Sequence, residues 1–145
     1  MDEPKKILVP VDLSERSRIG VGYAAMLAEH LGATLILMAN VNMPELAVIE
    51  SYAADNDIDV NDAGPALLMS WAEELAPGVK AKAVLAHRDF PAEGVLAVAN
   101  EQEVDMIVIA SHGRTGMTRW LLGSVADKVA RSADVPVVMV PARAR

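Results

Sequence analysis

Short continuous apolar runs alternate along the chain with stretches whose apolar residues recur every three or four positions. Ile7-Leu8-Val9-Pro10-Val11 and Thr34 to Val41 are runs of the first kind, with the length and branched aliphatic content of strands buried on both faces. Asp105 to Ser111 reads the same way around Met106-Ile107-Val108-Ile109, and Val137-Val138-Met139-Val140 is a last run flanked by Pro136 and Pro141. Val79 to His87 alternates imperfectly and predicts a partly exposed strand. Between the first two strands Ile19, Tyr23, Leu27 and Leu31 recur every four residues. They predict one apolar helix face that stops at Gly32, with Ser14 as the candidate N-cap. Leu67, Trp71 and Leu75 mark a helix closed by Pro77-Gly78, Pro91 opens another carrying Val95, Leu96 and Ala99, and Val125-Ala126-Asp127-Lys128-Val129-Ala130 reads as a last one ending near Ala133. Asn42 to Pro65 holds two prolines, a Gly and an acidic cluster, and predicts a long connection with a short helix near Glu45 to Ala53.

This alternation of strand and helix predicts an α/β fold, a doubly wound, Rossmann-like, five-stranded parallel sheet with helices on both faces, as a single domain over residues 1–145. Ligands of such sheets bind beyond the carboxyl ends of the strands, where the strand order reverses. The loops at Pro10 to Ser14, Asn40 to Pro44 and Ala110 to Ser124 share that edge.

Composition narrows the core and the partners. Apolar residues make up 52% of the chain but aromatics only 3%, so the core is aliphatic. A net charge of −7 argues against nucleic acid or an anionic membrane as the main partner, because the long-range field repels both. With no Cys, disulfides, thiolate zinc sites and thiol catalysis are excluded. The apolar run after Met1-Asp2-Glu3-Pro4-Lys5-Lys6 is too short for a signal-peptide core, and no later run is long enough to span a membrane. A soluble cytoplasmic protein is expected.

Candidate chemistry concentrates after the fourth predicted strand, in Ala110-Ser111-His112-Gly113-Arg114-Thr115-Gly116-Met117-Thr118-Arg119-Trp120-Leu121-Leu122-Gly123-Ser124. A strand, a Gly-containing loop and a new helix make an anion site, since the first helical N–H groups lack intrahelical partners and carry the positive end of the macrodipole. Gly lets a ligand approach the backbone, and the Ser124 hydroxyl adds a hydrogen bond. The site points to a phosphate, and through it to a nucleotide.

The chain resembles the universal stress protein family, in its single-domain ATP-binding branch, over nearly its whole length. That branch carries Gly, two residues, Gly, nine residues, Gly, then Ser or Thr; here Ala110, Gly113, Gly123 and Ser124 stand at those spacings. Ile7-Leu8-Val9-Pro10-Val11-Asp12-Leu13-Ser14 and Ala133-Asp134-Val135-Pro136-Val137-Val138-Met139-Val140 are also similar to the family's two ends. The departure is Ala110, which adds a methyl where the backbone should run under ribose and phosphates. The resemblance implies ATP, with AMP or ADP as alternatives, accompanied by Mg2+ or Mn2+. It implies that Asp12 contacts the adenosine part, that Val41 offers backbone hydrogen bonds to the adenine edge, and that Pro10 and Val11 line the pocket. Gly113, Gly123, Ser124 and Val125 would hold the phosphates through N–H groups and the Ser hydroxyl.

Plainer roles stand beside these. Asp12 can serve as a turn residue and Ser124 as an N-cap, the latter compatible with a phosphate site. His112 has no recognisable Ser-His-Asp arrangement around it, and Arg114 and Arg119 divide evenly between solvated charges and phosphate contacts. Asp55-Asn56-Asp57-Ile58-Asp59-Val60 lacks the Gly and the bidentate Glu of a calcium loop, having Val60 and Ala66 there. Trp71 and Trp120 read as packing residues. No Walker ending is present and no catalytic set is recognised, so the expected activity is regulatory binding rather than catalysis. A nucleotide-free dimeric scaffold of the same fold is the main alternative, favoured by Ala110, with a slow ATPase behind it. The final apolar run, Val137, Val138, Met139 and Val140, should lie at a sheet edge, where unpaired backbone groups invite a homodimer. The resemblance implies the same pairing.

Overall fold

The computed structural model describes residues 2–112 and 120–142. Its strands are β1 (Lys6–Val11), β2 (Thr34–Asn40), β3 (Ala81–Ala86), β4 (Met106–His112) and β5 (Val137–Ala142). The helices are α1 (Arg18–Leu31), α2 (Met43–Asn56), α3 (Val60–Leu75), α4 (Pro91–Glu101) and α5 (Trp120–Ser132). The strands form one sheet in the order β3-β2-β1-β4-β5, every neighbouring pair parallel. The expected doubly wound α/β sheet, with helices on both faces, is what the chain adopts.

Side-chain alternation along the strands divides the core between the faces. Ile7, Val9, Leu35, Leu37 and Val108 meet Val21, Ala24 and Ala28 of α1 and Leu68 and Trp71 of α3. Leu8, Ile36, Met38, Ile107 and Ile109 meet Val95 and Val98 of α4 and Ala126 and Val129 of α5. Arg18 lies over the Trp71 ring, 5.0 Å from its centroid, and pairs with Glu74, joining α1 to α3.

One proline shapes the sheet. The Lys5 carbonyl accepts from Thr34 N–H and the Lys6 carbonyl from Asp105 N–H. Odd backbone positions of β1 therefore face β2 and even ones face β4. Pro10 is the even position after Leu8, and it has no N–H to give. Pairing of β1 with β2 runs from Lys6↔Thr34 to Val11↔Ala39, whereas pairing with β4 holds only Ile7↔Met106 and Leu8↔Ile107. The β1–β4 ladder ends early at the point where the strand order reverses, which is where such sheets bind ligands.

Two stretches differ from expectation. The segment from Asn42 to Pro65 is not a long connection with a short helix; it builds all of α2 and the first part of α3. Pro44 sits in the first turn of α2, where a missing N–H costs nothing. Asp57, at φ 54°, ends α2, and the Asp59 side chain accepts from Asn61 N–H at 2.7 Å to cap α3. The acidic cluster is thus two helix ends back to back, and Pro65 is carried inside α3. On α1 the buried face is Gly20, Val21, Ala24, Ala25 and Ala28, while Ile19 and Tyr23 are 39% and 41% exposed. Small residues let the helix approach the sheet closely, and the larger apolar residues stand at the margin of the contact.

The turn after β3 is held from β2. Asn40, 5% exposed, donates from Nδ2 to the Arg88 carbonyl and accepts on Oδ1 from Arg88 N–H, both at 2.9 Å. A Cβ at Gly94 of α4 would lie 2.2 Å from Asn40 Oδ1, so glycine is the residue that leaves the clamp room. Replacing Asn40 by Ala removes both bonds and should cost about 1–3 kcal/mol in urea denaturation. Gly94→Ala should destabilise the wild-type chain and be nearly neutral in the Asn40→Ala background. Simple additivity of the two changes would refute the clamp.

Candidate functional site

Pro10 and Val11 close β1 and Asp12 follows it, Val41 follows β2, Ala110 lies in β4, and Gly123, Ser124 and Val125 belong to α5. All lie at or beyond the carboxyl ends of the central strands or on the helix that follows β4. Gly113, Arg114 and Arg119 fall outside the described residues, as does the side chain of His112.

Asp12 is 8% exposed and shapes the turn after β1. Its Oδ1 accepts from Ser14 N–H at 2.9 Å and from the Ser14 hydroxyl. Leu13 between them has φ 65°, a left-handed conformation that a bulky side chain rarely adopts. Its own side chain is buried in the core, which holds it there. The plain turn role of Asp12 is therefore real, and it fixes the carboxylate at the crevice.

Val41 N–H donates to the Ala86 carbonyl at 2.7 Å. The donor half of the backbone pair that the resemblance implies is used inside the sheet, and the carbonyl is what Val41 can still offer. Ala110 is fully buried. A Cβ at Gly20 of α1 would stand 3.2 Å from Ala110 N and 3.6 Å from Ala110 Cβ, so its surroundings on that side are tightly packed α1 rather than open space.

Ser124 is not an N-cap. Helix α5 already starts at Trp120, which puts Gly123, Ser124 and Val125 past the first turn and past the N–H groups a helix leaves unpaired. Gly and Ser are weak helix formers, which is why the sequence reads as loop there. What Ser124 presents is an exposed side chain. It lines a cleft of about 560 Å³ together with Val125 and Lys128 of α5 and Phe90, Pro91 and Glu93 at the start of α4. That volume is in the range of small-molecule sites. Ser124 and Lys128 are four residues apart and share one helix face.

Next to this cleft is a niche of about 30 Å³ lined by Val11, Asp12, Asn40, Glu45, Pro91, Val95 and Val125. The two spaces share Pro91 and Val125. Of the residues expected from the sequence, the structure thus gathers Val11, Asp12, Ser124 and Val125 around these two neighbouring cavities. Asn40, Glu45, Phe90 and Lys128 were not expected. Glu45 had a legible signal, because Asn42-Met43-Pro44-Glu45 has the capping-box spacing that places an N3 carboxylate beside the chain entering a helix. Phe90, the chain's single Phe, is 66% exposed at the N-cap position of α4.

Among the described residues no helix is long and apolar enough to cross a membrane. Residues 3–141 match the model of the universal stress protein family. Universal stress protein YxiE of Bacillus subtilis is 29% identical, over 93% of this chain and 97% of its own length. The solved structure of MJ0577 from Methanocaldococcus jannaschii superposes with a TM-score of 0.73 at 25% identity, covering 99% of this chain and all of that one. A universal stress protein from Archaeoglobus fulgidus, solved in complex with dAMP, gives 0.63 at 21% identity over 96% of this chain and 99% of its own, a likeness of fold. Matched from its third residue into its last strand, the chain belongs to the universal stress protein family.

Proposed function

We propose that the chain is a stress-response regulatory protein that binds an adenine nucleotide across the carboxyl edge of its sheet, with ATP as the ligand and AMP or ADP as alternatives. The observation that carries this reading is the pair of neighbouring cavities, a niche at the end of β1 and a cleft between α4 and α5, apolar along Val11, Pro91 and Val125 and polar at Asp12, Ser124 and Lys128. The nucleoside lies toward β1 and the phosphates toward α5. There the Ser124 hydroxyl donates to a phosphate oxygen, and the Lys128 ammonium supplies a charge. Val41 contributes its carbonyl, and Pro10 sets the gap into which the ligand reaches. Gly113 and Gly123 let the chain run close to the phosphates. Mg2+ or Mn2+ accompanies the phosphates.

The activity is binding rather than turnover. Phosphoryl transfer requires metal-holding carboxylates, a charge-stabilising cation and a placed base acting together, and Glu93, Ser124 and Lys128 do not make that set. A cytoplasmic location fits such a regulator. Calorimetry with Mg-ATP tests the site. Ser124→Ala removes one hydrogen bond to a charged oxygen, worth about 1.5–3 kcal/mol, and should weaken binding roughly ten- to a hundredfold. Equal affinity in both proteins would take Ser124 out of the site.

The same reading includes a homodimer through β5. This strand ends the sheet, and it presents Met139 at 43% exposure between the half-buried Val138 and Val140, with Val137 at its start. A two-fold partner would pair its own β5 against the open edge. Light scattering at micromolar concentration should give twice the 15.4 kDa chain mass, and Met139→Lys should shift it toward the monomer. A wild-type mass of one chain would exclude the dimer.

A further inference from the structure

Two arginines follow β1 in close succession, and the fold engages only the second. Arg18, at the start of α1, pairs with Glu15 at 3.3 Å and with Glu74, and its guanidinium lies over the Trp71 ring. Arg16 stands in the single helical turn Glu15–Ser17 that connects β1 to α1. Its Nη1 is buried and, among the described residues, has no hydrogen-bond partner, nor does a carboxylate pair with the side chain. In a chain of net charge −7 carboxylates are plentiful, so the missing partner is notable. A guanidinium does not lose its proton, and a buried N–H without an acceptor is costly.

Acceptors on the same turn are already engaged. The Ser14 carbonyl accepts from Ser17 N–H at 3.1 Å and from the Ser17 hydroxyl at 2.7 Å, while Glu15 is held by Arg18. The place of the turn in the fold says which acceptor suits Arg16. Although it follows β1, the turn packs against β4, and so it bridges the two strands beyond the point where their pairing stops at Leu8↔Ile107. Gly20, in the first turn of α1, lies against Ala110 of β4. Four residues of helix cover about the length of two residues of strand, so Arg16 stands about level with the end of β4. That end leads into the Ala110 to Ser124 stretch, where the sequence places an anion site. Ser124 and Lys128 come to the crevice on α5, from the opposite face of the sheet to α1. We infer that Arg16 is a ligand-binding residue whose guanidinium takes a phosphate oxygen of the bound nucleotide from the α1 side of the crevice, by charge-assisted hydrogen bonds. The inference rests on the nucleotide reading above. It adds a second cationic wall, and a donor that only the ligand satisfies.

Stability and affinity measured side by side test it. Arg16→Met keeps an unbranched apolar stem and removes the charge and its donors. Without ligand this variant should melt at or above the temperature of the wild type, because no partner inside the protein is lost. By calorimetry its affinity for Mg-ATP should fall about tenfold or more. Adenosine, which has no phosphate, should bind both proteins equally. Arg16→Lys, with a point charge in place of the planar fork, should recover part of the lost ATP affinity. A ligand-free melting temperature well below that of the wild type in both variants makes Arg16 a structural residue and overturns the inference. Unchanged ATP affinity in Arg16→Met overturns it as well, and so does an equal loss for adenosine and ATP. Inorganic phosphate that binds the wild type but not Arg16→Met, while ATP binds both alike, assigns the residue to a separate anion and also overturns it. In each of these cases nucleotide binding by the wild type still stands. Wild-type protein that binds no nucleotide refutes this inference and the proposed function together.

Discussion

A missing N–H at Pro10 is the constraint around which the site is arranged. In a parallel sheet each interior strand serves two neighbours with alternate backbone groups, and β1 gives its even positions to β4. Proline at the third of these positions stops that ladder while the ladder to β2 continues for three more residues, to Val11. Sheet twist carries strands apart once pairing stops. The opening lies where the chain changes direction across the sheet, with α1 on one side and α4 and α5 on the other. The turn after Val11 then sets Asp12 at the mouth, held by Ser14 and by the constrained backbone of Leu13.

The walls of the site are built from parts that depend on one another. Asn40 reaches from β2 to the turn before α4, and the glycine at position 94 is what allows it to do so. That turn carries Phe90 and Pro91, which line the cleft. On the far wall Ser124 and Lys128 ride on a helix whose Ala126 and Val129 are fully buried against the sheet. The polar groups are therefore mounted on regular elements and on a clamped turn. This is the arrangement in which side-chain positions are held most closely.

Much of the fold was legible because its signals were local. Continuous apolar runs marked the strands, and the break at Pro91 marked α4. The region from Asn42 to Pro65 misled because Pro44, Asp57, Asp59 and Pro65 are turn-forming residue types. In this chain they start, end or ride within helices, and the decision belongs to tertiary packing of Ile49, Ala53, Ala63 and Leu67 against the sheet. The face of α1 misled for a related reason. Apolar size was read as burial, whereas the closest contact with the sheet is made by Gly20, Ala24 and Ala28. At the site, Asp12 and Ser124 were visible through motif and resemblance. Asn40 acts through a partner distant in sequence, and the capping-box spacing that marks Glu45 does not reveal the cavity it lines. Lys128 was read only as part of the last helix, and its place in the cleft depends on how α5 packs beside α4.

Three of the chain's eight prolines stand around the same opening: Pro10 in β1, Pro44 one residue before Glu45, and Pro91 at the start of α4. Each has its φ fixed by its ring in any conformation, folded or not. The rim on the β1, α2 and α4 sides is therefore ordered before any partner arrives, and little backbone freedom remains there to be lost on association. A molecule entering from that side meets a surface already in its final shape. Selectivity there is then exerted by rejection at a rigid wall, not by closure around the guest.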